Sequence, residues 1–235
     1  MAKKNKEISS SNLIKVKPIT EGQKSVFETW KQGKNQFLFG CAGTGKTFIS
    51  LYLAMQDVLD LKKKYDKVIL VRSLIPTREI GFLPGDEEDK AALYQVPYQN
   101  MVKFMFEQPN EQAFNMLYDR LKNQGSLYFL STSFLRGLTF DNSIIIVDEC
   151  QNLNFHELDT ITTRVGQDSK IIFCGDFSQT DLVKQNEKNG LHDFLRILME
   201  MQEFNTIEFN IGDIVRSGFV RNYLIQKTKL GMGME

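Results

Sequence analysis

The sequence predicts an α/β protein in which helices cover both faces of a mainly parallel sheet, a three-layer arrangement. Three observations carry this. A glycine-rich stretch, Gly40-Cys41-Ala42-Gly43-Thr44-Gly45-Lys46-Thr47, lies between an apolar run at 36–39 and a helix-like apolar run at 48–55. That is the strand–loop–helix setting of a phosphate-binding loop, or P-loop. Ile144-Ile145-Ile146-Val147 is β-branched throughout and ends in Asp148-Glu149, so it reads as a strand buried on both faces that delivers two carboxylates at its carboxyl end. Further strands at 67–72, 127–130 and 170–174 alternate with helical patterns, as a parallel sheet requires.

The bulk properties narrow the class. The 235 residues, 42% hydrophobic and 25% charged, suit one large globular domain. Formal net charge is zero, so binding to a polyanion has to come from a local patch. Three cysteines argue against a disulfide framework and for a reducing, cytoplasmic setting. No apolar run approaches the roughly 20 residues of a membrane span. Lys3, Lys4 and Lys6 are not followed by an apolar stretch, so the start does not read as a secretory signal.

In chain order, residues 1–17 read as a Ser- and Lys-rich tail, disordered at least as far as Ser11. A single domain over 18–229 and a flexible C-terminus at 230–235 complete the division. Thr20 is placed to cap a helix over 23–31, with Gln23 completing a capping box. Gln23 has a second reading: ahead of a P-loop strand, its amide can donate to and accept from an adenine edge at once. After the 67–72 strand comes a loop containing Ile80-Gly81-Phe82-Leu83-Pro84-Gly85-Asp86, then a helical insertion over about 87–124, interrupted near Pro97. Its last piece spans 111–122 by apolar periodicity. Tyr94, Tyr98, Phe104 and Phe106 can pack the core or stack on bases. A helix over 155–165 follows the acidic strand. The tail supplies a helix at 191–201, a strand at 206–209 and a helix at 220–228.

The chemistry follows from residue types. The glycines let several backbone N–H groups converge on one anion, with the helix N-terminus adding its partial positive charge. Residues 40–47 then cradle phosphates, and Lys46, expected to be solvated beforehand, reaches the β- and γ-phosphates. Thr47 and Asp148 are the expected Mg²⁺ holders, and Glu149 the group that orients and deprotonates an attacking water. In P-loop proteins, a glutamate beside such an aspartate marks a sheet with one more strand between the P-loop strand and the acidic strand. The Cys174 strand fills that gap and carries Gln179 towards the γ-phosphate as a sensor. Cys41, Cys150 and Cys174 read as small apolar residues at strand ends. A redox switch would need a depressed thiol pKa, with Cys41 as its site.

Taken together the motifs resemble the PhoH family of phosphate-starvation-inducible ATPases. The resemblance rests on residues 40–47, Gly81-Phe82-Leu83-Pro84-Gly85-Asp86, Pro97-Tyr98, Leu135-Arg136-Gly137-Leu138-Thr139, Val147-Asp148-Glu149-Cys150-Gln151-Asn152 and Gly175-Asp176-Phe177-Ser178-Gln179. Asp213-Ile214-Val215-Arg216 closes the series. Cys41 stands where the family has proline, Cys150 where it has alanine, and Leu138 where it has arginine. The resemblance implies a RecA-like core, similar to the first motor domain of superfamily 1 helicases standing alone. It further implies ATP hydrolysis, a link to single-stranded RNA or DNA, and assembly into a homo-oligomeric ring, hexameric by preference. Arg72, Arg78 and Arg136 become candidate nucleic-acid contacts, or equally surface ion-pair partners. Arg216 resembles the arginine that touches the γ-phosphate, and a neighbouring subunit's ATP is its expected target. A structural ion pair is its alternative role, and Arg164 and Arg136 are alternative fingers. Two other function classes stay open: a nucleotide-dependent interaction module with little turnover, and a small P-loop kinase, for which Glu149 would have no use.

Overall fold

The computed structural model of the chain describes residues 8–60, 64–73, 87–132, 135, 137–176 and 185–230. Six strands, β1 (Asn35–Gly40), β2 (Lys67–Arg72), β3 (Leu127–Ser131), β4 (Ser143–Val147), β5 (Lys170–Gly175) and β6 (Phe204–Phe209), form one sheet in the order β3-β2-β4-β5-β1-β6. Each pairing is parallel. The strand inserted between the P-loop strand and the acidic strand is β5, as the Asp-Glu pair predicts.

Alternation of side chains along the strands sorts the core into two halves. Ile144 and Ile146 face one side with Leu38, Val68, Leu70 and Ile172. Ile145 and Val147 face the other with Phe37, Ile69, Val71 and Phe173. The first half is covered by α1 (Glu21–Lys31), α2 (Lys46–Val58), α3 (Glu87–Phe106) and α4 (Glu111–Asn123), the second by α5 (Phe155–Thr162) and α6 (Gln185–Glu200). Both faces of β4 are thus covered, which is why its five residues are all buried and its alternation is invisible as a polar pattern. This is the three-layer RecA-like arrangement. A last helix, α7 (Gly218–Lys229), follows β6.

The departures from the sequence reading have physical causes. The helix α3 runs through Pro97 without a break. An internal proline costs about 3 kcal/mol, but Tyr98, Val102, Met105 and Phe106 are all buried from the same helix, each worth roughly 1.5–3 kcal/mol. Packing therefore wins, and the proline ring is left exposed. The expected tail is ordered from Ile8: Ile8 and Leu13 are buried, Ser10 N–H donates to Leu59 O and Ile14 N–H to Met105 O. Two apolar side chains among serines were enough to anchor it. The helix α5 stops at Thr162, three residues early, because Phe140 N–H takes the Arg164 carbonyl and Gly166 N–H the Phe140 carbonyl.

Because all strands run one way, their carboxyl ends share one edge of the sheet. The P-loop after β1, Ser73 after β2, Asp148 after β4 and Asp176 after β5 meet there.

Candidate nucleotide-binding site

The turn into the P-loop depends on close backbone approach. Gly40 has φ +111°, and a Cβ there would lie 2.1 Å from Phe209 O, while Cys41 N–H donates to that same oxygen at 2.9 Å. Only glycine fits. Gly43 has φ +74°, and a Cβ on it would strike Arg216 Cγ at 2.8 Å. Thr44, fully buried, closes the loop by donating its hydroxyl to Cys41 O at 3.0 Å. These contacts fix the loop's backbone.

Lys46 is buried rather than solvated, which corrects the sequence expectation. Its Nζ donates to Gly40 O at 2.7 Å and to Cys41 O at 2.8 Å. Burial lowers its pKa, opposed by the charges of Asp176 and the acidic pair. The loop folds around its own cation, so the ammonium is held by carbonyls at the place where phosphate oxygens would compete for it.

The acidic pair is equally defined. Thr47 Oγ1 donates to Asp148 Oδ1 at 2.6 Å, and Tyr98 Oη donates to Asp148 Oδ2 at 2.7 Å. Glu149 sits in the left-handed backbone region at φ +52°, which is uncommon for a residue with a side chain. Gln151 accounts for the next link: its Nε2 donates to Glu149 Oε2 at 2.5 Å, and its Oε1 accepts from Asp176 N–H at 3.0 Å. It ties the ends of β4 and β5 together. Burial, then the charge of Asp148, raises the pKa of Glu149, the direction that suits a proton acceptor.

Gln23 combines parts of both its readings. Its backbone N–H donates to Thr20 Oγ1 at 3.3 Å, the cap, but its side chain does not complete a capping box. Its Oε1 instead accepts from Ile19 N–H at 3.0 Å and its Nε2 donates to Thr44 O at 3.0 Å. Each group keeps one hydrogen-bonding position in hand, at the wall of the cleft. On the other side, Val215 N–H donates to Gly43 O at 3.0 Å. Asp213, buried behind it, accepts from Gly22 N–H and Asn210 N–H, both at 2.9 Å. Arg216 therefore lies beside its own P-loop, and no neighbouring subunit is needed to bring it there. No salt bridge among the described residues uses it.

The other arginines separate. Arg72, proposed from sequence as a nucleic-acid contact, lines this cleft, half-buried, with its guanidinium against Tyr98 and 5.6 Å from the Tyr94 ring. Arg164 lies at the opposite edge of the sheet, where its carbonyl pairs with Phe140 ahead of β4. Gln179, Arg78, Arg136 and the 81–86 motif lie outside the described residues. Tyr94, Tyr98 and Phe106 pack the core, and Phe104 alone of the four aromatics is exposed, at the cleft rim. The cysteines take the apolar reading. Burial pushes the Cys41 thiol up, not down, and Cys174 up to about 12. Sequence reasoning named Tyr98 and Asp213 within motifs but did not foresee their contacts with Asp148 and Gly22. Asp213 opens the quoted Arg216 motif, but nothing in the sequence ties its carboxylate to Gly22 of α1.

The cleft encloses about 900 Å³, within the range of small-molecule sites. Its floor is the N–H-rich loop with one lysine, its far wall Asp148 and Glu149, and its near shoulder apolar, with Val16, Ile19 and Phe104. That polarity gradient fits a nucleoside triphosphate. Among the described residues no group of three or more His, Cys, Asp or Glu is arranged to hold a metal ion by itself. One carboxylate and one hydroxyl suit Mg²⁺, which shares its remaining positions with phosphates and water.

A family model described as "PhoH-like protein" matches residues 15–226. A PhoH-like protein of Synechocystis is 34% identical over 186 residues, covering 79% of this chain and 54% of its own length. One of Bacillus subtilis is 32% identical over 208 residues, covering 88% and 61%. The chain thus spans about half the length of the curated relatives it matches. Among solved structures, the Bacteroides Pif1 helicase bound to single-stranded DNA is 18% identical with a TM-score of 0.40, covering 92% of this chain and 49% of that one.

Proposed function

The chain belongs to the PhoH-like protein family, and from that premise we propose that it binds ATP with Mg²⁺ in this cleft and hydrolyses it. The observation that carries the reading is the convergence of Lys46, Thr47, Asp148 and Glu149 at one sheet edge, with Thr47 Oγ1 donating to Asp148 Oδ1 at 2.6 Å. On ATP binding, Lys46 exchanges the carbonyls of Gly40 and Cys41 for phosphate oxygens. Thr47 and Asp148 hold the metal, which supplies neutralisation of charge on the β- and γ-phosphate oxygens. Glu149, fixed by Gln151, orients the attacking water and takes its proton as oxygen bonds to the γ-phosphorus and the ADP oxygen leaves. Arg216, held beside Gly43, meets charge developing on the γ-phosphoryl group. Gln23 reads the adenine edge with its remaining donor and acceptor. Gln179 is the proposed γ-phosphate sensor.

Coupling to single-stranded RNA or DNA, and assembly into a hexameric ring, complete the proposal. Both rest on the motif resemblance. Of the arginines assigned to nucleic acid, Arg72 is engaged inside the ATP cleft, which leaves Arg78 and Arg136 as contacts. With zero net charge, binding has to come from a local patch and weaken steeply with salt.

The test is phosphate release from ATP with and without single-stranded RNA or DNA, alongside filter binding across a salt series. Stimulated release and salt-sensitive binding are expected. Nucleotide binding without turnover would favour the interaction module, and binding that stays flat from low to moderate salt would remove the phosphate-contact picture.

A further inference from the structure

Asp148 is served by two donors from different parts of the fold. Thr47 comes from the P-loop helix, whereas Tyr98 comes from the middle of α3, 50 residues before Asp148 in the chain. Tyr98 is 1% exposed, so its hydroxyl is fixed by the packing of its ring and has no water to exchange with. Behind it stands Arg72, at the end of β2, whose guanidinium lies beside the Tyr98 hydroxyl and 5.6 Å from the Tyr94 ring. The Tyr98–Asp148 hydrogen bond, with half-buried Arg72 behind it, thus brings β2, α3 and β4 together.

We propose, on the basis of the ATP and Mg²⁺ reading above, that Tyr98 is a positioning residue for the metal-binding carboxylate, and that α3 through it sets the metal affinity of the nucleotide site. A carboxylate oxygen can accept two hydrogen bonds. With one position on each Asp148 oxygen already filled, the carboxylate cannot rotate freely, and one further position per oxygen remains for the metal or its water shell. The Arg72 cation beside the same hydroxyl disfavours turning that hydrogen away from Asp148. Partners of this kind around metal ligands set affinity by about 10- to 100-fold.

The Tyr98→Phe variant removes the hydroxyl and keeps the packed ring. Mn²⁺, whose free-ion paramagnetic signal disappears on binding, is titrated in the presence of a non-hydrolysable fluorescent ATP analogue. Binding of the analogue without metal is measured in parallel. The expected result is Mn²⁺ affinity weakened by about 10-fold or more, with metal-free binding of the analogue unchanged. A merely structural role for Tyr98 would move both or neither, and unchanged Mn²⁺ affinity overturns the proposal. Should Tyr98→Phe fail to fold, Arg72→Lys carries the test: it keeps the charge and loses the planar guanidinium that lies beside Tyr98 and Tyr94. A smaller weakening in the same direction supports the proposal, and none overturns it. Wild-type protein that binds no analogue at all overturns the nucleotide reading, and this inference with it. Wild-type Mn²⁺ binding that Tyr98→Phe and Arg72→Lys leave untouched overturns this inference alone.

Discussion

Val215 donates its backbone N–H to the carbonyl oxygen of Gly43 at 3.0 Å, so the segment that carries Arg216 is stitched to the P-loop of its own chain. Asp213 anchors the same segment to the start of α1 through Gly22. Arg216 is therefore expected to serve its own site. Arg216→Ala should lower turnover by about 10³-fold or more, the share of an arginine at a phosphoryl-transfer site. Mixing Arg216→Ala with Lys46→Ala subunits, with mixed assemblies confirmed by two affinity tags, should restore nothing, since neither subunit then holds both groups. Recovery of turnover in the mixture would establish an arginine acting across subunits instead.

Lys46→Ala should lower turnover by about 10²–10³ through lost charge stabilisation. Its effect on stability is less obvious now that the side chain is known to be buried. The variant relieves the cost of a buried ammonium and strands the carbonyls of Gly40 and Cys41, which border the cleft where water can replace the lost donor. These effects oppose one another, so the change should stay within about 1 kcal/mol. Urea unfolding checks it. A loss several times larger would mean that the lysine is first a structural pin for the loop.

At the other end of the sheet, Lys170 supplies a pH-linked prediction. Its Nζ lies 4.1 Å over the Trp30 ring and donates to Trp30 O at 3.2 Å, and Trp30 Nε1 donates to Asp57 Oδ2 at 2.9 Å. Burial, opposed by Asp57, lowers its pKa from 10.5 to about 8. The fold then holds this proton less tightly than the unfolded chain does. Below about pH 8 the cost is fully present; between about 8 and 10.5 the unfolded chain binds more protons, so stability rises with pH. Lys170→Met keeps the stem over the indole and removes the proton. The difference in unfolding free energy between wild type and variant, followed from pH 7 to 10 in urea melts, should therefore change in favour of wild type as pH rises. Parallel curves would contradict the shift.

Much of this was legible in the sequence because the signals are local. The P-loop carries its own strand and helix, and Asp148-Glu149 announces both a strand end and the presence of β5 beside it. What was not legible depends on distance along the chain. Tyr98 reaches Asp148 only because α3 persists through Pro97, a local breaker outvoted by tertiary burial. Arg72 looks, in sequence, like any charged strand end; its engagement by Tyr98 and Tyr94 is set by how α3 lies across β2. Lys46 was expected in water because lysines usually are, but the loop's curvature turns two carbonyls onto it. The contact of Arg216 with its own loop comes from β6 pairing beside β1, a neighbour relation that the sequence does not state.

The most direct measurement of Mg²⁺–ATP hydrolysis in this cleft compares wild type with Glu149→Gln for ATP binding and for phosphate release. The amide keeps the shape and can still accept from Gln151, but it cannot take a proton from water. Binding of ATP with Mg²⁺ should be retained, while phosphate release falls by about 10²–10⁴, the usual share of a general base. Wild-type release in the variant, or no release from wild type at all, would contradict it.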